Sequence, residues 1–133
     1  MSELTYGRTL EWLYALEARR GMDFRLERLA PVLANLGNPQ TAFPAIHVGG
    51  TNGKGSTSAI LHSIYSRAGY RAGLYTSPHL RSFRERIRVG AELIAERDVV
   101  DAARGVRSAA EKAGVDLTFF EIATIMAFLE FRR

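Results

Sequence analysis

Ala45-Ile46-His47-Val48-Gly49-Gly50-Thr51-Asn52-Gly53-Lys54-Gly55-Ser56-Thr57 is the stretch on which the reading of the fold turns. A short apolar run, Ala45 to Val48, leads into a glycine-rich loop. A helical pattern follows, with Ile60, Leu61, Ile64 and Ala68 on one face and Gly69 as its stop. Tyr70 to Thr76 reads as a second buried strand. Strand, glycine-rich turn, helix and strand in that order make a βαβ unit. The expectation is therefore an α/β fold, a P-loop-type parallel sheet with flanking helices.

That context is the one a phosphate loop requires. Glycines let the backbone approach the phosphates, and successive N–H groups form an anion cradle. The helix N-terminus adds about half a positive charge. On this reading Gly50, Thr51, Asn52, Gly53, Lys54, Gly55, Ser56 and Thr57 bind a nucleotide. Lys54 reaches the β/γ-phosphates, and Ser56 or Thr57 serves the phosphate or its magnesium. A glycine-rich turn with a solvated lysine is the plainer alternative, disfavoured because strand, lysine, hydroxyls and helix coincide. The loop departs from G-x-x-x-x-G-K-[ST]: Val48 stands six residues before Lys54, and Gly55 separates the lysine from Ser56.

Outward from the loop, Thr5 to Arg19 reads as a helix carrying Leu10, Leu13, Tyr14 and Glu17 at helical spacing, widened by Trp12 and Leu16. Leu26, Leu29, Val32, Leu33 and Leu36 form a second stripe ended by Gly37-Asn38-Pro39, with Pro31 predicting a kink or a later start. Downstream, Arg86-Ile87-Arg88-Val89 alternates like a strand with one wet face. Asp98 to Ala113 is a helix with Val99, Val100, Ala103, Val106 and Ala110 on one side and Gly114 as its stop. Thr118 to Arg133 is apolar almost all round, which predicts burial on several sides and a large exposed patch if its cover is missing. His47 reads as a core residue.

The bulk properties bound the rest. The 133 residues suffice for one compact domain, and 47% hydrophobic with 24% charged residues is ordinary for a soluble protein. There is no run of roughly 20 apolar residues. Met1-Ser2-Glu3-Leu4 has no signal-peptide pattern, and cysteine is absent, which excludes disulfides and fits a cytoplasmic protein. The net charge of +4 suits an anionic ligand. The basic residues are interspersed with acids except around Arg81 to Arg88, and no basic-aromatic pattern of a nucleic-acid groove is present. Neither nucleic acid nor a membrane is expected as a partner.

The loop GTNGKGS preceded by IHVGG resembles the phosphate loop of folylpolyglutamate synthases and dihydrofolate synthases, in the Mur ligase superfamily. Leu74-Tyr75-Thr76-Ser77-Pro78-His79-Leu80, Arg84-Glu85-Arg86-Ile87-Arg88, Thr118-Phe119-Phe120-Glu121 and Leu36-Gly37-Asn38-Pro39-Gln40 resemble further signatures of that family in the expected order. Cell-wall Mur ligases share the fold but usually carry threonine or serine in place of Gly55, and lack TSPHL.

The resemblance implies an ATP- and Mg2+-dependent ligase that joins L-glutamate to a folate or dihydropteroate through an acyl phosphate. It implies that residues 1–133 are the N-terminal part of the ATP-binding domain, the rest of that domain and a C-terminal domain being needed and absent. Residue by residue, Lys54 acts on the ATP phosphates as the catalytic lysine. Ser77 and Glu121 are magnesium ligands, and Ser77, Pro78, His79, Leu80 and Arg84 lie near the folate. Magnesium takes oxygen ligands and keeps several waters, so a hydroxyl, a carboxylate and phosphate oxygens are a sensible set. Plainer alternatives stand beside these roles. Thr118 to Glu121 is also a capping box, Ser77-Pro78 also ends a strand, and Arg84, Arg86 and Arg88 either touch an anionic substrate or, equally, form a solvated strand face. His79 is assigned no proton-transfer role. A non-catalytic nucleotide-binding module and a basic interaction module are the rival functions.

Overall fold

A computed structural model describes residues 5–17 and 26–133. Its helices are α1 (Tyr6–Glu17), α2 (Leu29–Asn35), α3 (Lys54–Arg67), α4 (Glu96–Ala113) and α5 (Phe119–Arg132). Its strands are β1 (Gly73–Tyr75), β2 (Ile87–Val89) and β3 (Glu92–Leu93), and 3-10 turns stand at Leu26–Arg28, Pro39–Thr41 and Phe83–Arg86. The chain divides into two compact units: residues up to Phe43 together with Ala95–Arg133, and Pro44–Ile94. The first expected helix is found as far as Glu17; Ala18 and Arg19 lie outside the described residues.

The first unit is helical throughout its described residues. Helix α4 is its axis, packed on α5, α2 and α1. The expected stripe is the buried one: Val99, Val100, Ala103, Val106 and Ala110 are buried, joined by Ala102 and Ala109. Its small alanines let neighbouring helices approach. Pro31 sits in the first turn of α2, where its missing N–H costs no helical bond, so the helix starts late instead of kinking. Val32 is fully buried, whereas Leu26 lies outside the helix and is exposed. Helix α5 buries Phe119, Ile122, Ala123, Ile125, Met126 and Ala127, and Phe43 packs edge-on against Phe131 at 5.7 Å. The large exposed patch expected on α5 is not there: α4, α1 and the Pro39–Thr41 turn pack on it, and Phe120 is its one large apolar residue in the exposed class.

The second unit departs further from expectation. Its three strands form an antiparallel sheet in the order β1-β2-β3, in register Gly73↔Val89, Leu74↔Arg88, Tyr75↔Ile87 and then Arg88↔Leu93, Val89↔Glu92. The expected parallel βαβ pairing is not formed among the described residues. Ala45 to Val48 carries no strand assignment, and its Ile46 and His47 are exposed, so His47 is not a core residue. An extended segment becomes a strand only when a neighbour takes its backbone hydrogen bonds, and none of the described strands does. Helix α3 packs on β1 yet buries no residue fully. Ile60 and Ile64, read as its inward face, are 61% and 57% exposed; Leu61, His62 and Ser66 are the half-buried side. The core here is Phe83, Ile87 and Ile94.

The stop predicted at Gly69 has a defined geometry. Gly69 takes φ +94°, its N–H donates to the Ser66 carbonyl, and the Tyr70 N–H donates to the Tyr65 carbonyl. This is the Schellman pattern, and the Tyr65 and Tyr70 rings meet edge-on at 5.6 Å across it. Gly37 and Gly114 close α2 and α4 with the same hydrogen bonds.

Ile125, 1% exposed, anchors α5 in the helical unit. Ile125→Ala should destabilise the chain by roughly 2–5 kcal/mol, whereas Leu26→Ala, on an exposed side chain, should stay within about 0.5 kcal/mol. Urea unfolding of both variants tests the assignment of this core; equal effects would contradict it.

Candidate functional site

The glycine-rich loop enters α3 without side-chain capping. Gly53 is the N-cap with φ +78°, Lys54 is the first helical residue, and the first turn carries no acidic residue. A left-handed φ at Gly53, and φ +140° at Gly50, are conformations that L side chains avoid. A Cβ at either glycine would meet no atom within 4 Å, so backbone conformation, not crowding, demands glycine there. Residues 49–57 are all exposed. The N–H groups at the start of α3, the Lys54 ammonium and the Ser56 and Thr57 hydroxyls therefore share one solvent-facing helix start. The Thr57 N–H is already in the helix, donating to the Gly53 carbonyl at 2.9 Å. Such an arrangement can cradle a phosphate.

The second cluster of expected site residues, Ser77 to Arg84, lies in the same unit, in the connection from β1 to β2. The Thr76 N–H donates to the Arg86 carbonyl at 3.0 Å, extending the β1-β2 pairing one residue towards Ser77. The Ser77-Pro78 peptide is cis. Ser77, Pro78 and Leu80 are exposed, Leu80 to 92%. Two residues of the following 3-10 turn hold this loop. The Glu85 carboxylate accepts from the N–H groups of Leu80 at 3.0 Å, Arg81 at 3.0 Å and Ser82 at 2.6 Å. The Ser82 hydroxyl accepts from the Arg84 N–H at 3.2 Å, completing a capping box. Arg86 Nε donates to His79 Nδ1 at 2.8 Å.

The arginines do not form a solvated face. Arg84 Nε donates to the Ile94 carbonyl at 2.6 Å, Arg86 is only 5% exposed, and Arg88 Nε is buried without a hydrogen-bond partner. Arg84, expected near the substrate, is thus tied by its Nε to the end of its own unit. Glu85 has no assigned role in the sequence, and Arg86 reads there only as a contact to an anionic substrate or as part of a wet strand face. The spacing Ser82-x-x-Glu85 was the available signal for the first; nothing in the sequence marks the second as buried.

Glu121 lies in the helical unit. It forms the capping box: its N–H donates to Thr118 Oγ1 at 3.2 Å, and its Oε1 accepts from the Thr118 N–H at 2.9 Å. Arg28 Nη1 also bridges both carboxylate oxygens, at 3.2 and 3.0 Å, while Arg28 Nη2 donates to the Asp116 carbonyl. The Glu121 side chain is 14% exposed. The alternative of a helix cap is therefore realised. Oε2 accepts from Arg28 alone among these partners and retains a lone pair for a hard cation. No cluster of three or more His, Cys, Asp or Glu able to hold a metal occurs among the described residues, and no helix among them is long and apolar enough to cross a membrane.

The loop clamp has a pH signature. The N–H groups of Leu80, then of Ser82 and Arg81, hold the Glu85 carboxyl below the ordinary glutamate range, against a smaller opposing effect of burial. A depressed carboxyl contributes order that is complete above the unfolded value of roughly 4.3 and is lost as pH falls through the lower folded value. Hydrogen exchange of the Leu80, Arg81 and Ser82 amides should stay protected at pH 5 and lose protection only below the ordinary glutamate range. Glu85→Gln should weaken that protection at pH 5 and above, where the wild-type carboxylate is ionised, and bring no further loss once pH has fallen through the folded value. Loss of protection already at pH 5 would contradict the clamp.

No family-level sequence model matches the chain. Individual proteins do. The dihydrofolate synthase/folylpolyglutamate synthase of Escherichia coli (strain K12) is 38% identical over 124 residues, 92% of this chain and 29% of that protein. The solved folylpolyglutamate synthase of Thermotoga maritima superposes with a TM-score of 0.83 at 41% identity, over 96% of this chain and 30% of that one. E. coli FolC in complex with DHPP and ADP gives a TM-score of 0.83 at 37% identity, over 93% and 30%. The chain spans 15% to 31% of the length of the curated relatives it is compared with, 29% of the E. coli protein. Identity above 35% over nine-tenths of the chain, with the matching Mur-ligase-like fold, places it: this chain belongs to the dihydrofolate synthase/folylpolyglutamate synthase family.

Proposed function

We propose that the chain supplies the ATP-binding part of a ligase that adds L-glutamate to a folate or dihydropteroate. The observation that carries this reading is the exposed start of α3 without a side-chain cap: Gly53 is its left-handed N-cap, Gly50 ahead of it also takes a positive φ, and Lys54 opens a first turn without acid. Nucleotide complexes among solved relatives support it.

In the proposed reaction a carboxylate oxygen of the folate or dihydropteroate attacks the γ-phosphorus of ATP. The bond from that phosphorus to the β-γ bridging oxygen breaks, and ADP leaves. The glutamate amine then attacks the acyl carbon of the resulting acyl phosphate, the carbon–oxygen bond breaks, phosphate leaves and the amine loses its proton to solvent. Lys54 and the loop N–H groups offset charge on the transferring phosphoryl group, and loop 77–84 orients the acceptor. Ser77 and Glu121 would supply a hydroxyl and a carboxylate oxygen to magnesium, a donor set that suits a cation keeping waters and phosphate oxygens as its other ligands. Bound magnesium would neutralise phosphate charge.

The parallel sheet belongs to the same proposal. Ala45 to Val48 would be a strand whose neighbours, with a C-terminal domain, lie in the part of the relatives' length that these 133 residues do not span. The uncovered Ile60 and Ile64 of α3 support that reading.

A fluorescent ATP analogue with magnesium is expected to bind the chain, and Lys54→Ala should weaken binding roughly 10- to 100-fold, the value of a charge-assisted phosphate contact. Binding indifferent to Lys54 would sink the reading. Labelled glutamate should not enter folate with the 133-residue chain alone; incorporation above background would refute the need for further chain.

A further inference from the structure

Arg86 is the only charged side chain in the buried class among the described residues. Burying a guanidinium costs free energy unless its donors are satisfied. Its Nε lies 2.8 Å from His79 Nδ1, and its Cζ stands 5.9 Å from the centre of the Phe83 ring. Phe83 is fully buried and meets His79 edge-on at 6.2 Å. The three side chains form one packed group beneath loop 77–82.

The chemistry of that contact is one-sided. A guanidinium has only donors and stays charged, so at 2.8 Å the imidazole nitrogen must be the acceptor. His79 Nδ1 then carries no proton, and a neutral ring places its proton on Nε2. A His79 so held has no acceptor left: it cannot take a proton as a general base, and Nδ1 cannot ligate a metal. Whatever group its Nε2 meets must itself accept a hydrogen bond.

We propose that Arg86 is a positioning residue that locks His79 as the Nε2–H tautomer, so that the loop following β1 presents this histidine as a hydrogen-bond donor only. Its relevance to substrate rests on the ligase reading, in which loop 77–84 adjoins the folate. A donor there fits an acceptor oxygen of that ligand, a carbonyl or a carboxylate. Glu85 holds the loop backbone while Arg86 fixes the one aromatic nitrogen base within it, so two adjacent residues set both its path and its hydrogen-bonding sense.

The test is imidazole nitrogen NMR on the 15N-labelled chain at neutral pH. The chain has three histidines, so a His79→Asn spectrum assigns the signal by its loss. His79 is expected as a neutral ring with hydrogen on Nε2. In Arg86→Met the ring should populate both tautomers or become protonated, and amides 80–82 should exchange about tenfold faster as the loop opens locally. A wild-type ring found as Nδ1–H or as imidazolium overturns the proposal, and that result needs no variant to fold. An Arg86→Met ring that keeps a pure Nε2–H tautomer overturns it equally. Neither measurement uses nucleotide or folate, so failure here leaves the ligase reading standing, and failure of nucleotide binding leaves this one standing.

Discussion

Backbone N–H groups at the start of a helical turn have no partner within the turn, and how each start is satisfied organises both units of this chain. At the start of α5 the Glu121 carboxylate turns back to the Thr118 N–H. At the Phe83–Arg86 turn the Glu85 carboxylate does the same, and reaches two further N–H groups of the preceding loop. At α3 the chain supplies no side-chain cap and no acid, only glycine and lysine. These two starts are closed by the protein's own anions, and that of α3 is left with the charge pattern that an external phosphate complements. The same physical need gives rigidity in two places and, on the proposed reading, a binding surface in one.

Glu121 serves architecture as observed, and on the proposed reading the same carboxylate would serve chemistry as well. Arg28 and Thr118 fix its position and neutralise it within the helical unit. A carboxylate fixed this way loses little freedom on meeting a cation, yet it must share its oxygens with an arginine. The basic run from Arg81 to Arg88 makes a related point. Its charge suggests a ligand surface, but the Nε groups of Arg84 and Arg86 are spent on a carbonyl and an imidazole, and Arg88 Nε is buried. These arginines shape the loop between β1 and β2; their charge is not spread for solvent.

The two units differ in how well they cover their apolar surface. The helical unit buries or half-buries every large apolar residue of α4 and α5 except Phe120, because those helices have α1 and α2 to pack against. The Pro44–Ile94 unit has one helix and three short strands, and leaves Ile46, Ile60, Ile64 and Tyr70 exposed. Exposed apolar side chains at that density are more than one small unit usually leaves to water, and Ile46 among them lies in the segment whose backbone found no strand partner.

Sequence by itself determined the elements whose causes are local. The glycine stops at 37, 69 and 114, the α4 stripe, the capping box at Thr118 and the glycine–lysine loop before α3 follow from backbone sterics, periodicity and short-range hydrogen bonds, and all were legible. The motifs that carry the family likeness were legible for the same reason. Tertiary structure alone decided the rest. Whether Ala45 to Val48 pairs, and whether β1 runs parallel or antiparallel to its neighbour, depends on which strands are available to accept its hydrogen bonds. Which face of α3 is covered depends on what packs there. That Arg86 is buried on His79 while alternating residues suggested a wet face depends on the turn at Phe83, which rotates the arginine inward before the strand begins. Periodicity records which residues share a face; only the assembled neighbours determine whether that face meets protein or water.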